Sequence, residues 1–156
     1  MIVIFDIDGV LADNSHRLDY ALKDKNYDKF YSDEEVTKDT PILAGIELLK
    51  SLSIDHDIHF VTGRNERCLD STANWLMAQK IHPQANCQIC IRDEHDYRPS
   101  PIVKVELLRD LLKELNAENE IGLFIDDDPE NVVAIEKAFP NIKGLVFGAE
   151  RIGETK

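Results

Sequence analysis

Asp6-Ile7-Asp8-Gly9 sets two carboxylates two residues apart, directly after the apolar run Ile2 to Phe5. If the chain stays extended, both side chains point the same way, and Gly9 lets the backbone turn sharply aside. Two carboxylates in one site ionise together only beside a cation. An oxygen-rich site with few protein ligands suits Mg²⁺, which keeps waters and takes a substrate phosphate. Asp126-Asp127-Asp128 offers a third carboxylate through Asp126. Thr62 brings a hydroxyl, Gly63 an unobstructed amide and Lys104 a compact positive charge, groups that together cradle a transferring phosphoryl group.

Each of these features also has a plainer reading. An Asp-x-Asp in so acidic a chain reads as a surface turn, and Asp126 to Asp128 as an acidic cap for a helix opening at Pro129. Thr62-Gly63-Arg64 alone is an ordinary turn, and Lys104 alone is a solvated helix lysine. Their placement promotes them, because all fall at or after the carboxyl ends of expected strands, the edge where open α/β sheets bind ligands.

The elements that must position them alternate. Ile2 to Phe5 reads as a central parallel strand buried on both faces. Residues 7 to 40 form a polar excursion in which Ser15 to Tyr31 is expected to hold a short helix and a small flap, with the aromatics Tyr20, Tyr27, Phe30 and Tyr31 as flap packing or as a stacking surface for a base. A helix is expected from Pro41 through Leu52 with Thr40 as its cap, then a strand Ile58 to Val61 and a helix from about Glu66 to Lys80. Cys87 to Ile91 reads as a third strand. A helix opens at Ser100-Pro101 and runs to about Leu115, with Val103, Leu107, Leu108, Leu111 and Leu112 as its buried stripe. A strand Ile121 to Ile125, a helix from Pro129 to about Phe139, a strand Gly144 to Phe147 and a polar tail complete the chain. This predicts a three-layer, Rossmann-like α/β fold: a parallel sheet of about five strands, helices on both faces, and one domain over 1–156 with a minimal cap at about 10–40.

The 156 residues carry 18 basic and 30 acidic side chains, a net charge of −12. That balance argues against broad adhesion to nucleic acid or anionic membrane, so any polyanion must be gripped locally. No stretch reads as an export signal or a membrane span, and the expectation is a cytoplasmic protein with reduced thiols. Cys87-x-x-Cys90 has half the spacing of a zinc site, but no second pair follows and the segment reads as a strand.

Over nearly its whole length the chain resembles the haloacid dehalogenase superfamily of phosphatases. Asp6-Ile7-Asp8-Gly9-Val10, Val61-Thr62-Gly63-Arg64, Lys104 and Ile125-Asp126-Asp127 look like its four motifs, in order. The resemblance implies that Asp6 is the nucleophile of an aspartyl-phosphate mechanism and that Asp8 protonates the leaving group and then activates water. It also implies that Mg²⁺ is held by Asp6, Asp8 and Asp126, with Asp127 in support. Asp13 to Arg17, Cys87 to Arg92 and Val103-Lys104 further resemble the phosphatase domain of phage-type polynucleotide kinase/3′-phosphatases. That likeness implies that Arg17, Arg64 and Arg92 join Thr62, Gly63 and Lys104 in engaging a nucleotide or polynucleotide 3′-phosphate. No Walker-type loop is present, so a stand-alone phosphatase is expected, with no stable protein partner inferred. A small-molecule phosphatase, such as a nucleotidase or sugar phosphatase, and a non-catalytic phosphate-binding module are the competing readings.

Overall fold

A computed structural model describes residues 1–82 and 84–148; the polar tail lies outside the described residues. The chain runs β1 (Ile2–Phe5), β2 (Ala12–Asp13), α1 (Leu18–Leu22), α2 (Tyr27–Phe30), α3 (Asp33–Val36), β3 (Thr40–Pro41), α4 (Leu43–Leu52) and β4 (Asp57–Asn65). It continues with α5 (Leu69–Ala78), β5 (Ile89–Arg92), α6 (Ser100–Glu114), β6 (Gly122–Asp126), α7 (Pro129–Ala138) and β7 (Ile142–Val146). The five long-range strands form a sheet in the order β5-β4-β1-β6-β7, every pairing parallel.

β1 is buried along its whole length because its side chains feed two cores. Val3 and Phe5 pack with Ile46 and Leu49 of α4 and Trp75 and Leu76 of α5. Ile2 and Ile4 face the other way, onto Leu108, Leu111 and Leu112 of α6 and Val132 and Ile135 of α7. Each such side chain contributes roughly 1.5–3 kcal/mol on burial, so the strand that ends at Asp6 is clamped from both sides. The alternation also divides the cysteine pair: Cys87 packs toward the first core and Cys90 toward the second. Two thiols on opposite faces of a sheet cannot share a metal.

Three of the departures from the expected elements have identifiable reasons. Thr40 and Pro41 do not open a helix; they pair antiparallel with Asp13 and Ala12, and α4 starts after them with Ile42 at its N-cap. β4 runs on through Thr62-Gly63-Arg64 to Asn65, with a register irregularity between Thr62 and Asn65, so these residues lie in the strand's own continuation. The expected single flap helix is three short ones, preceded by a tight turn at Ser15–Arg17. Asn26 and Ser32 cap the second and third by accepting from the backbone amides of Lys29 and Glu35.

Gly45 places α4 hard against the loop after β1: a Cβ there would overlap the Val10 carbonyl. Gly45→Ala is therefore expected to cost about 1–3 kcal/mol, read as a lower midpoint of denaturant unfolding. Burial pushes the Cys87 and Cys90 thiols up to about 11 and about 12. At pH 8 both should alkylate at least ~100-fold more slowly than a peptide thiol, which mass spectrometry of a timed iodoacetamide reaction checks.

Candidate active site

Parallel pairing of β1 with β6 brings Asp6 and Asp126 to the same edge of the sheet, and the Asp6 amide donates to the Ile125 carbonyl at 2.8 Å. Lys104, in the second turn of α6, reaches between them. Its Nζ lies 2.9 Å from Asp6 Oδ1 and 2.6 Å from Asp126 Oδ2, with all three residues buried. Burial alone would lower the lysine's pKa, but the two carboxylates hold it above the usual range. For Asp6 burial wins: reinforced by Asp126 and Asp8 and opposed by Lys104, it pushes the carboxyl up to about 8. A carboxylate meant to act as an anion at neutral pH here needs more positive charge than one ammonium supplies.

Asp127 completes an acidic group. One carboxylate oxygen from each of Asp6, Asp126 and Asp127 lies within 4.8 Å of the others. Gly9 makes room for it, since it sits at φ +80° and a Cβ there would run into the Asp127 carboxylate. Asn131, buried on α7, donates from Nδ2 to both Asp126 oxygens at 3.2 Å, while its Oδ1 is buried without a partner among the described residues. Three carboxylates facing one ammonium leave an excess that a single divalent cation makes up. The all-oxygen donor set and the spare buried acceptor, which a metal-bound water could meet, fit Mg²⁺. Asp128, by contrast, is the helix cap: its Oδ1 accepts from the Glu130 amide at 2.9 Å.

Asp8 is not in that acidic group, although the sequence reading set it among the metal ligands. Its carboxylate is gripped by Arg64, Nη2 donating to Oδ1 at 2.7 Å and Nε to Oδ2 at 3.1 Å, with Arg17 Nη2 at 3.4 Å. Arg17 and Arg64 are both buried, and both also donate to Asp39: Arg17 at 2.8 and 2.9 Å, Arg64 at 2.6 Å. Where the resemblance set these two arginines on the substrate, the structure commits them to Asp8 and Asp39. Thr62 is fully buried with its Oγ1 accepting from the Arg64 amide at 3.1 Å. Arg92 is only half-buried, donating to the carbonyls of Gly63, Asp96 and Arg98 at 3.0, 3.0 and 2.7 Å.

Comparison with known families decides the lineage: the model of the polynucleotide kinase PNKP phosphatase domain matches residues 1–139. The chain belongs to that family. It is thus a haloacid dehalogenase-type phosphatase domain. A comparison with curated proteins finds no match. Among solved structures, a chain of the Pnkp1/Rnl/Hen1 complex is similar over 92% of this chain, at 19% identity and a TM-score of 0.67. The match covers 44% of that longer chain, so this chain spans less than half of the length of the chain it resembles. A haloacid dehalogenase-like family hydrolase from Streptococcus pneumoniae matches over 92% of this chain and 82% of its own, at 15% identity and TM-score 0.66. An enzyme of the same superfamily from Bacteroides thetaiotaomicron, solved with magnesium and inorganic phosphate, matches over 99% and 96%, at 12% identity and TM-score 0.56. At these identities the structural likenesses show the fold.

Within this PNKP-type domain, two working residues escaped the sequence reading. Asp39 lies 22 and 25 residues from the arginines it holds, in a stretch with no periodicity to mark it. Asn131 sits on α7 five residues after Asp126, a spacing that would have revealed it had the helix from Pro129 been turned back toward the strand end. The flap aromatics are partly spoken for: Arg17 lies 4.6 Å from the Phe30 ring centre and Lys29 4.4 Å from that of Tyr20. Among the described residues no helix is long and apolar enough to cross a membrane.

Asp39 is buried and accepts from two buried guanidinium groups, so Asp39→Ala is expected to destabilise the fold by about 3–5 kcal/mol. Asp8→Ala, at the half-exposed end of the same network, should cost clearly less, and urea unfolding of the two variants side by side checks the order.

Proposed function

We propose that this domain hydrolyses the 3′-phosphate of a nucleotide or polynucleotide end, with Asp6 as nucleophile. The observation that carries the chemistry is the buried Asp6 carboxylate at the tip of β1. Lys104 holds one of its oxygens, and Asp126 and Asp127 lie alongside. The other oxygen of Asp6 attacks phosphorus and displaces the ester oxygen, which takes a proton from Asp8 and leaves as the alcohol. Water then attacks the aspartyl-phosphate and gives its proton to Asp8; the P–O bond to Asp6 breaks, returning the carboxylate and releasing inorganic phosphate.

Arg64 and Arg17 orient Asp8 for both transfers, and their shared Asp39 fixes them in turn. This makes the two arginines positioning residues. The Thr62 hydroxyl, the Gly63 amide and Lys104 face the phosphoryl oxygens, and Arg92 supplies a cation beside Gly63. Mg²⁺, held by Asp6, Asp126 and Asp127, would supply charge neutralisation for the phosphoryl group and the second positive charge that Asp6 requires.

The substrate class is supported by membership of the PNKP phosphatase family and by the small size of the insert between β1 and α4, which leaves the site open to a large alcohol group. The net charge of −12 favours a second reading, a phosphatase of small phosphate esters such as mononucleotides or sugar phosphates. Phosphate release from a 3′-phosphorylated oligonucleotide, thymidine 3′-monophosphate and a panel of sugar phosphates separates them. Release should require Mg²⁺, prefer the nucleotides, and fall by at least ~10³-fold in Asp6→Asn, as for loss of an activated nucleophile. A preference for sugar phosphates would sink the 3′-end assignment while leaving the phosphatase chemistry in place.

A further inference from the structure

Beside Gly63 of β4, the structure encloses a cleft of about 560 Å³ between α2, the start of the segment after β4, and the loop joining β5 to α6. Its volume falls within the roughly 300–1,000 Å³ of small-molecule sites. Tyr27, Tyr31, Tyr97, Arg67, Arg92 and Arg98 line it. Arg92 joins it to the catalytic edge, because the same guanidinium donates to the Gly63 carbonyl at 3.0 Å and turns Nη2 toward the open side of Gly63. Asn65, three residues beyond Thr62 on β4, forms part of the same wall.

The charges in this cleft are distributed unevenly. Arg67 is paired to Asp28 at 2.6 Å, and Arg98 to Asp96 at 2.7 Å and Glu106 at 2.6 Å. Arg92 bonds only backbone carbonyls among the described residues, so its charge is not cancelled by a carboxylate. One cation without a carboxylate partner therefore stands at the mouth, next to the phosphate position; behind it Glu94 and the second carboxylate on Arg98 leave a tyrosine-walled pocket with an excess of acid and no free arginine. A groove that follows a polynucleotide backbone needs a row of unpaired cations. A pocket that receives one uncharged base needs aromatic faces and no such row.

Taking the 3′-phosphatase reading as its basis, we propose that this cleft seats the single nucleoside bearing the 3′-phosphate, its base against Tyr27 and Tyr97, and leaves the preceding chain ungripped. Both rings are available for this, Tyr27 being 48% and Tyr97 86% exposed. The domain then recognises a terminal nucleotide, and the length of strand behind it adds little.

The test measures Mg²⁺-dependent phosphate release by the full chain from thymidine 3′-monophosphate, a 3′-phosphorylated dinucleotide and a longer single strand, each at low and high salt. The expected kcat/KM values agree within about threefold, and their log–log salt slopes are no steeper than about −1.5, the signature of at most two phosphate contacts. Tyr97→Ala and Tyr27→Ala should lower kcat/KM for the nucleotide by about 5- to 150-fold, mostly through KM, the range of one lost stacking contact. Their preference for the nucleotide over deoxyribose 3-phosphate should narrow by the same factor, whereas Tyr20→Ala, outside the cleft, should behave as the unaltered chain. Activity that climbs with strand length and drops steeply with salt would overturn the proposal, as would tyrosine variants indistinguishable from Tyr20→Ala. Failure of the unaltered chain on every 3′-nucleotide, with turnover of sugar phosphates, instead removes the 3′-phosphatase reading and this inference with it.

Discussion

At the carboxyl edge of the sheet a single ammonium, that of Lys104, lies between Asp6, directly after β1, and Asp126 at the end of β6, 2.9 and 2.6 Å away. Adjacent parallel strands place their ends side by side, so two carboxylates closing neighbouring strands would repel strongly in a site from which water is largely removed. The lysine offsets that repulsion and ties α6 to the sheet at the same point. The offset is partial, because Asp6 remains pushed up to about 8 by its burial. The geometry that crowds these acids together is also the geometry that leaves them short of positive charge.

A second buried network extends from this edge into the insert after β1. Asp39 accepts from Arg17 and Arg64, these hold Asp8, and the Asp39 carbonyl accepts from Trp75 Nε1 at 2.8 Å. Residues from the loop after β1, the turn before α1, the segment between α3 and β3 and the end of β4 are thereby locked into one unit. Burying two guanidinium groups is costly unless each is paired, and Asp39 and Asp8 provide that pairing. The insert is small, yet it supplies Arg17 and Asp39, two members of the network that holds the Asp8 carboxylate. Arg67 and Arg98 are also paired to carboxylates, at the surface, whereas the partners of Arg92 are carbonyls.

Much of the architecture was legible from periodicity. β1 came out residue for residue, and α6 with its Leu108, Leu111 and Leu112 stripe began at Ser100 as Ser-Pro suggested. Local signals failed where a long-range partner competed with them. Thr40-Pro41 has the look of a helix start but is taken by pairing with Ala12 and Asp13, and Thr62-Gly63-Arg64 has the look of a turn but is held in β4 by β5. The flap's weak periodicity yields three one-turn helices, each too short to be stable without the packing around it.

The sequence alone determined which residue types stand at strand ends, and so that Asp6, Asp126 and Lys104 meet at one edge. Hydrophobic runs set where strands stop, and parallel α/β topology sends every stop to the same side. Only the tertiary structure decided how the remaining charges are shared. It gave Asp127 rather than Asp8 to the acidic group, assigned Arg17 and Arg64 to Asp8 and Asp39, and left Arg92 without a carboxylate. Spacing along a chain carries no record of which charge will find which, because pairing depends on distances across the fold and on how far each group has been withdrawn from water.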